Sequence, residues 1–566
     1  MGDFEPSPNS PKKFVIVGIV LLGLVIVAMF VLESTPSLAP APKQSPTPDT
    51  PVSQPIAFPP ESDQGIAGIR SLCGNCHSLP DPASFPKRKW PGLVDTWYQY
   101  ARQAGMKPEQ IVDINMVKGY FHRRAPETLD FSSLIDNPLA SGPLEFEKHT
   151  YNALGVPPLP RITNVRWVRL KSENGLDCIV SDMQHGKLFL WEFDQPDVGL
   201  VPIADVAHPS HVEVSDLNQD GHPDLIVADL GTFFPDDSEN GRILWLRYDA
   251  ANMRYEPEVL ARKLGRVADV QSADFDGDGD LDLIVAVFGW RSVGEVLYYE
   301  NISRDIQQPR FRAPRQIDKR NGAIHVPIAD INQDGRLDFV VLLSQQHEEV
   351  IAYLNEGSAR FSAHTIYKAE DPAYGSTGIQ LADIDGDNDL DVVYTNGDLM
   401  DSGMLKPYHS VQWLENKGSY PFTHHHLAPM PGVHRAVAGD FDQDGDQDII
   451  AVSFVPDTSF FEREQWPLNS ILWIEQTGLR EFTPHALETI LCDHTTADLA
   501  DYDRDGDLDL VTGTITWAGI SGIRTPPRKT HSITIWENRG PRTAVSESIS
   551  TKSLDKSEQQ PRDSCR

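Results

Sequence analysis

Positive charge is scarce in this chain. Lys and Arg number 49 against 82 Asp and Glu, a formal net charge of -33 over 566 residues. Phosphate binding needs clustered cations, so a nucleic-acid partner is excluded and the acid surplus calls for cations instead. Cysteine is scarce too, with five: Cys73, Cys76, Cys178, Cys492 and Cys565. Two of these share one short motif, and Cys178 and Cys492 are either a pair in an oxidising compartment or two unpaired strand cysteines. Also lacking are a Ser-His-Asp set and paired acids at catalytic spacing, so nothing points to a hydrolase or a lyase. What is present, 40% apolar and 23% charged residues, is globular in class and long enough for two or more domains.

One long apolar run stands out. Phe14 to Leu32 reads FVIVGIVLLGLVIVAMFVL, uncharged and long enough to span a hydrocarbon core as a helix. Lys12 and Lys13 precede it, which favours a cytoplasmic segment 1–13, an inner-membrane anchor 14–32 and an exported, periplasmic remainder. A cleaved signal peptide is the competing reading, with Ala39-Pro-Ala41 as the cleavage-like element followed by Pro42. Residues 33–61, rich in Pro, Ser and Thr, read as an extended linker.

From about 160 to 540 the chain repeats. Six loops fit D-x-[DN]-x-D-[GN]-x-x-D: DLNQDGHPD from Asp216, DFDGDGDLD from Asp274, DINQDGRLD from Asp330, DIDGDNDLD from Asp383, DFDQDGDQD from Asp440 and DYDRDGDLD from Asp501. Each runs into a short apolar strand such as LIVADL, then a second strand with an aromatic residue, such as ILWLRY. The final aspartates lie 58, 56, 53, 57 and 61 residues apart, a unit large enough for four strands. A degenerate copy, LKSENGLDCIV, ends at Asp177 and is followed by KLFLWEF from Lys187. The expected fold is therefore mainly β, a seven-bladed β-propeller with six acidic loops. A β-sandwich predicts shorter spacing between its turns.

Calcium takes six to eight oxygens, and alternating acids in a tight loop converge on one ion. Positions 1, 3, 5 and 9 supply the expected ligands: Asp216, Asn218, Asp220 and Asp224; Asp274, Asp276, Asp278 and Asp282; Asp330, Asn332, Asp334 and Asp338; Asp383, Asp385, Asp387 and Asp391; Asp440, Asp442, Asp444 and Asp448; Asp501, Asp503, Asp505 and Asp509. The carbonyl at position 7 completes the shell, and Gly or Asn at position 6 permits the turn. An EF-hand is disfavoured, since its Glu at position 12 and flanking helices are absent. These loops resemble the FG-GAP or VCBS repeat family, whose propellers include integrin α-subunit heads. The resemblance spans roughly 160 to 540 and implies a propeller with structural calcium, up to six ions, while leaving activity open.

Residues 73–77 read Cys-Gly-Asn-Cys-His, the C-x-x-C-H arrangement in which Cys73 and Cys76 are expected to form thioethers to a haem and His77 to bind its iron. There is no second C-x-x-C for a zinc site and no βαβ context for a thioredoxin. Residues 62–130 read as a small helical haem c module, with 131–159 as a connector. From Arg70 to Leu129 the chain resembles the cytochrome c-like segment that precedes propeller repeats in some exported bacterial proteins. A helix is expected to start at Pro108-Glu109 and run through Ile111, Ile114, Val117 and Phe121. The sixth iron ligand lies among Met106, Met116 and His122. In cytochromes c of the resembling class the ligand methionine lies in a loop before the last helix, where Met106 sits.

The connections after each loop's apolar strand carry Phe233, Phe234, Trp290, Phe460, Phe461, Trp466 and Trp517, and propeller geometry puts these connections on one rim. That rim is expected to meet a redox partner protein or a glycan. The function expected is electron transfer by a membrane-anchored haem protein with a calcium-binding propeller. The alternative is a protein- or glycan-binding adhesion propeller with auxiliary haem. A disordered tail is expected over 541–566.

Overall fold

In the computed structural model of the protein, the described residues are 58–59, 62–74, 78–103, 105–107, 111–132, 138–400, 402–456, 468–516 and 530–541. The anchor expected at 14–32 lies outside them, as do the linker up to 57 and the tail beyond 541. Among the described residues no helix is long and apolar enough to cross a membrane.

Among the described residues seven antiparallel sheets follow one another along the chain. Blade 1 pairs Ile162–Val168, Asp177–Asp182, Lys187–Trp191 and Val201–Asp205, and blade 2 pairs Pro209–Ser215, Asp224–Asp229, Gly241–Asp249 and Arg254–Leu264. Blade 3 runs through Val267–Ala273, Asp282–Val287, Glu295–Tyr299 and Arg315–Asp318. In blade 4 the innermost strand is split into Ala323–His325 and Ile328–Ala329, because Pro327 between them has no N–H to give the ladder; Asp338–Leu343, Glu349–Asn355 and Phe361–Lys368 follow. Blade 5 holds Ser376–Ala382, Asp391–Asn396, Ser410–Glu415 and Thr423–Pro429, and blade 6 holds Val433–Gly439, Asp448–Ser453, Asn469–Gly478 and Glu481–Thr489. Each second strand is buried along its whole length, which is why these runs are continuously apolar rather than alternating.

Blade 7 closes the ring. Its inner strands are His494–Ala500, Asp509–Thr514 and Ile533–Pro541, but its outer strand is Leu144–Tyr151 from the other end of the propeller. The propeller therefore starts before the expected 160 and takes in part of the 131–159 connector. No repeat marks this strand, since its outward face is exposed and its pairing is with residues almost 400 positions away. Side chains on the innermost strands stitch blade to blade: Thr163 Oγ1 donates to the Pro209 carbonyl (2.7 Å), Ser210 to Val267 (3.0 Å), Thr377 to Val433 (2.9 Å) and, across the closure, Thr495 to Ile162 (2.9 Å).

Three α-helices precede the propeller among the described residues: α1 (Asp63–Gly74), α2 (Trp90–Gln103) and α3 (Ile114–Arg124). The last starts later than expected, because the Asp113 carboxylate accepts the N–H groups of Asn115 and Met116 and so caps the helix there. Trp90 stacks on Phe121 with ring centroids 3.9 Å apart, at the centre of a core that includes Ile69, Phe85, Val94, Tyr98 and Val117. Cys178 and Cys492 are buried and not joined to each other.

Candidate functional site

Each acidic loop links the innermost strand of a blade to the second. The turn needs two residues with positive φ: position 4 (53° to 82°) and position 6 (73° to 102°). Position 6 is Gly or Asn as expected, whereas position 4 is Gln219, Gln333, Gln443 or Arg504 in four loops. Those non-glycine residues are strained and are held by the loop around them. The first aspartate does the holding. Asp216 accepts the N–H groups of Asp220 (3.0 Å) and Gly221 (2.9 Å). Asp274, Asp330 and Asp383 do the same for the equivalent pairs.

The ninth aspartate has a second task. Asp282 Oδ1 accepts the Asn301 N–H (2.8 Å) from the far end of the third strand, and Oδ2 accepts the Phe275 N–H at position 2 (3.3 Å). Asp338 takes Asn355 (2.7 Å) and Ile331 (3.0 Å), Asp391 takes Asn416 (2.7 Å) and Ile384 (3.0 Å), and Asp448 takes Gln476 (2.8 Å) and Phe441 (3.2 Å). Asp224 and Asp509 make the same third-strand bond to Tyr248 (2.8 Å) and Asn538 (2.9 Å). This aspartate is therefore a clasp between loop and third strand as well as a candidate ligand.

Four of the six loops gather three carboxylates with oxygens within 4.8 Å of one another: Asp274, Asp276 and Asp282; Asp383, Asp385 and Asp391; Asp440, Asp442 and Asp444; Asp501, Asp503 and Asp509. Asp278, Asp387 and Asp505 stand outside these triads, and the Asp278 and Asp505 carboxylates accept the N–H groups of Asp280 (3.0 Å) and Asp507 (3.2 Å). In the two loops with Asn at position 3, the amide is turned onto position 5: Asn218 to Asp220 at 2.9 Å and Asn332 to Asp334 at 3.1 Å.

The loops occupy one face of the propeller and the three helices the other. Connections between second and third strands, and those from one blade to the next, lie opposite the loops, and these meet the helices. Ala373 and Met404 pack into the helical core, Ser84 bonds Asp371, Lys89 reaches the Ser402 carbonyl (3.4 Å), and Lys406 lies over the Phe85 ring (5.2 Å). Asp237 Oδ1 accepts four consecutive N–H groups, Trp290 to Val293 (2.8 to 3.3 Å). That turn presents Arg291 to the face of Tyr100 at 3.4 Å. The rim aromatic Trp290 thus meets the chain's own Tyr100 (6.5 Å), while Phe234 stays exposed. Phe460, Phe461, Trp466 and Trp517 lie outside the described residues.

Residues 216–285 and 330–394 match the family described as FG-GAP-like repeat. Those two stretches, which hold four of the six acidic loops, carry FG-GAP-like repeats. No protein among the curated sequences matches the chain. Solved structures that align with it include virginiamycin B lyase from Staphylococcus aureus (11% identity, TM-score 0.41, covering 69% of this chain and 99% of that one). A streptogramin B lyase aligns at 12% identity and TM-score 0.41, over 69% and 98% of the two chains, and the Dos1 propeller at 9% and 0.38, over 67% and 78%.

The acidic loops are short of positive charge. Asp385, Asp440, Asp501 and Asp507 each have a buried Oδ1 without a hydrogen-bond partner. Leaving such an oxygen bare costs about 1–3 kcal/mol or more, so the loops fit an oxygen-seeking cation. Burial pushes the clasp carboxyls up, to about 6 at Asp224 and Asp282, about 7 at Asp391 and Asp448, and about 8 at Asp509. Asp507, at position 7, was expected to give only its carbonyl, yet burial and the neighbouring Asp505 push its carboxyl up to about 7. Sequence reasoning also missed three cross-links between acidic loops. Gln219 Nε2 donates to the Gly279 carbonyl, Gln333 to Asn388 and Gln443 to Gly506, each at 2.8 Å. A fifth acidic group, Glu147, His149 and Glu537, sits on the closing strand pair, where Arg539 already pairs with Glu147 (2.5 Å) and Glu537 (2.6 Å).

In the haem segment, Cys76 and His77 lie outside the described residues, as does the side chain of Cys73 on α1. Met106 follows α2, half-buried, its N–H bonded to the Ala101 carbonyl (3.0 Å). Met116 packs onto α1 so closely that a Cβ at Gly65 would lie 2.3 Å from its Cε. His122 lies against the Phe58 ring at 5.1 Å. Around the buried core, Ile66, Leu72, Leu79, Trp97, Ile111 and Val112 are only half-buried, an apolar fringe that suits a flat hydrophobic cofactor.

Proposed function

We propose that this protein is a membrane-anchored, periplasm-facing c-type haem protein that passes electrons to or from a docked partner, on a propeller held by calcium. The observation that carries the reading is the seating of the helical module: its core continues into Ala373 and Met404 of the propeller, and the Asp237 turn offers Arg291 to Tyr100. A fixed carrier on a rigid scaffold suits transfer to a partner that docks on both. Cys73 and Cys76 would hold the haem, with His77 and Met106 as iron ligands, and the haem supplies a one-electron couple when bound. The protein's own part is to keep the apolar side chains of α1, α2 and α3 around it and to keep water away. For calcium, the bare oxygens of Asp385, Asp440 and Asp501 support the reading.

The test is the visible spectrum of the purified full-length protein with and without dithionite, together with haem staining of a denaturing gel. Sharp reduced bands and a stained band are expected, and Cys73→Ala with Cys76→Ala should abolish the stain. A colourless protein, or a stain that survives the double substitution, removes the haem assignment. Met106→Ala should lower the reduction potential and remove the weak far-red absorption of a thioether ligand. If Met116→Ala or His122→Ala does this instead, the sixth ligand is elsewhere.

A further inference from the structure

The loop of blade 5 differs from the others in what approaches it. Arg480 sits in the hairpin between Asn469–Gly478 and Glu481–Thr489 of blade 6, with φ +64°. Its guanidinium bonds the Glu415 carboxylate and reaches Asp385 Oδ2 at 3.4 Å. Glu415 is buried, and it also holds Lys417 (2.8 Å) and His425 (2.7 Å), so it fixes Arg480 in place. Among the described residues no other blade sends a cationic side chain into salt-bridge range of a loop aspartate. Loop 4 has Arg336 on Asp334, but that arginine belongs to the loop itself.

Asp385 remains only half satisfied. Its side chain is 6% exposed, and Oδ1 has no partner. It faces a cavity of about 420 Å³ between the loops of blades 5 and 6, lined by Asp383, Asp385, Asp446 and Gln476. Gln476, 4% exposed, also has an unpartnered Oε1 there. Blades 3, 4, 5 and 7 carry Asn301, Asn355, Asn416 and Asn538 at the position of Gln476, and each amide N–H₂ donates to a backbone carbonyl of the loops. Gln476 thus interrupts this pattern beside the loop that already has an arginine.

We propose that Arg480 sets the affinity of the blade 5 loop, making it a weak, exchangeable cation site among tighter ones. The inference rests on the calcium reading above. Asp383, Asp385 and Asp391 still gather as a triad, so a divalent ion has its carboxylates. It must enter against a guanidinium anchored on Glu415, and like charges at this range cost about tenfold in affinity where water only partly screens them. The loops of blades 3, 6 and 7 bear no such cation, so they fill first.

The experiment is a calcium titration of the full-length, chelator-stripped protein against a competing chromophoric chelator. Arg480→Gln should tighten a single binding step about tenfold and leave the others within about twofold. Asp385→Asn should remove that step in the wild type and in the Arg480→Gln background alike. Arg480→Lys, which keeps the charge, should leave the step weak, and Arg480→Ala carries the same expectation as Gln should Arg480→Gln not fold. A melt in EGTA reports folding for each variant. Unchanged steps in both charge-removing variants overturn the proposal. So does a weakened step, which would make Arg480 a residue that orients Asp385 for the ion. A wild type that binds no calcium at all would instead remove the calcium reading on which the inference stands.

Discussion

Blade 1 and blades 2 to 7 share a strand order but not a loop. Blade 1 has lost the early acids and kept the last one: Asp177 accepts the N–H groups of Lys171 (2.7 Å) and Ser172 (3.0 Å) from its own turn and of Phe193 (3.1 Å) after the third strand. That is the bonding of Asp282 or Asp448, without the triad. The difference separates two roles that the repeat motif merges. The final aspartate clasps the blade even where the early acids are gone, as at Asp177, whereas the first aspartate makes its bonds within the loop itself.

Calcium removal should therefore have the largest effect. Each site filled at a hundredfold excess over its Kd adds about 2.7 kcal/mol. Stripping several of them with EGTA should lower the melting temperature of the full-length protein by about 10 °C or more, reversibly on adding calcium. Calorimetry that finds the same melt with and without EGTA would erase the distinction between blade 1 and the rest.

Next in size is the clasp. Asp177→Ala in blade 1 and Asp448→Ala in blade 6 should each cost about 3 kcal/mol in EGTA, because both strand N–H donors lose their acceptor inside the protein. In calcium Asp448→Ala should cost more than that and Asp177→Ala no more. Asp276→Asn should cost little in EGTA and show its effect only when calcium is present. Denaturant unfolding of these three variants under both conditions checks the comparison directly.

The sequence made the blades and loops legible because both are local: six loops of nine residues and the apolar runs behind them, with Asp177 as the remnant of a seventh. The closing strand Leu144–Tyr151 was not legible, since its partner lies at the other end of the propeller. The clasp was hidden because its donors, such as Asn301 or Gln476, lie 19 and 28 residues further on, and their N–H groups carry no side-chain signal. Arg480 is 95 residues from Asp385 and was invisible for the same reason. The later start of α3 was readable in principle from Asp113, an N-cap residue three positions before the apolar Met116.

A smaller effect concerns pH. Without an ion, burial holds Asp391 and Asp448 at about 7 and Asp509 at about 8, above the unfolded value of 3.8. Folded pKa values raised in this way add stability that is fully present below the unfolded value and is lost as pH rises through about 7 to 8. The metal-free protein should thus melt lower as pH is raised through this window. Calcium needs the ionised carboxylates, so the increment it adds should grow over the same window. Melts in EGTA and in calcium at several pH values test this, and a metal-free melt that rises with pH would contradict it.

The smallest effect tests how the six loops differ from one another. Gln219, Gln333 and Gln443 at position 4 each bond the next loop's position 6 carbonyl, joining loops 2 with 3, 4 with 5, and 6 with 7. Loops 3, 5 and 7 have Gly277, Gly386 and Arg504 at that position, and blade 1 offers loop 7 no acidic loop to reach. The chain's six loops are thereby laid out as three pairs. An ion that fixes the position 6 carbonyl of one loop also fixes the glutamine of its neighbour, whose strained backbone with φ 53° to 63° is then easier to hold for a second ion. One such hydrogen bond contributes about 1 kcal/mol, so Gln443→Ala should weaken the coupled step of one pair about fivefold. Gln333→Ala should weaken a different step by the same factor, and the double substitution should show both losses added, because the two bridges are in separate pairs. Calcium titrations of the two single variants and the double variant read this out. If either single substitution alters every step, the ring acts as one unit and the pairing is wrong.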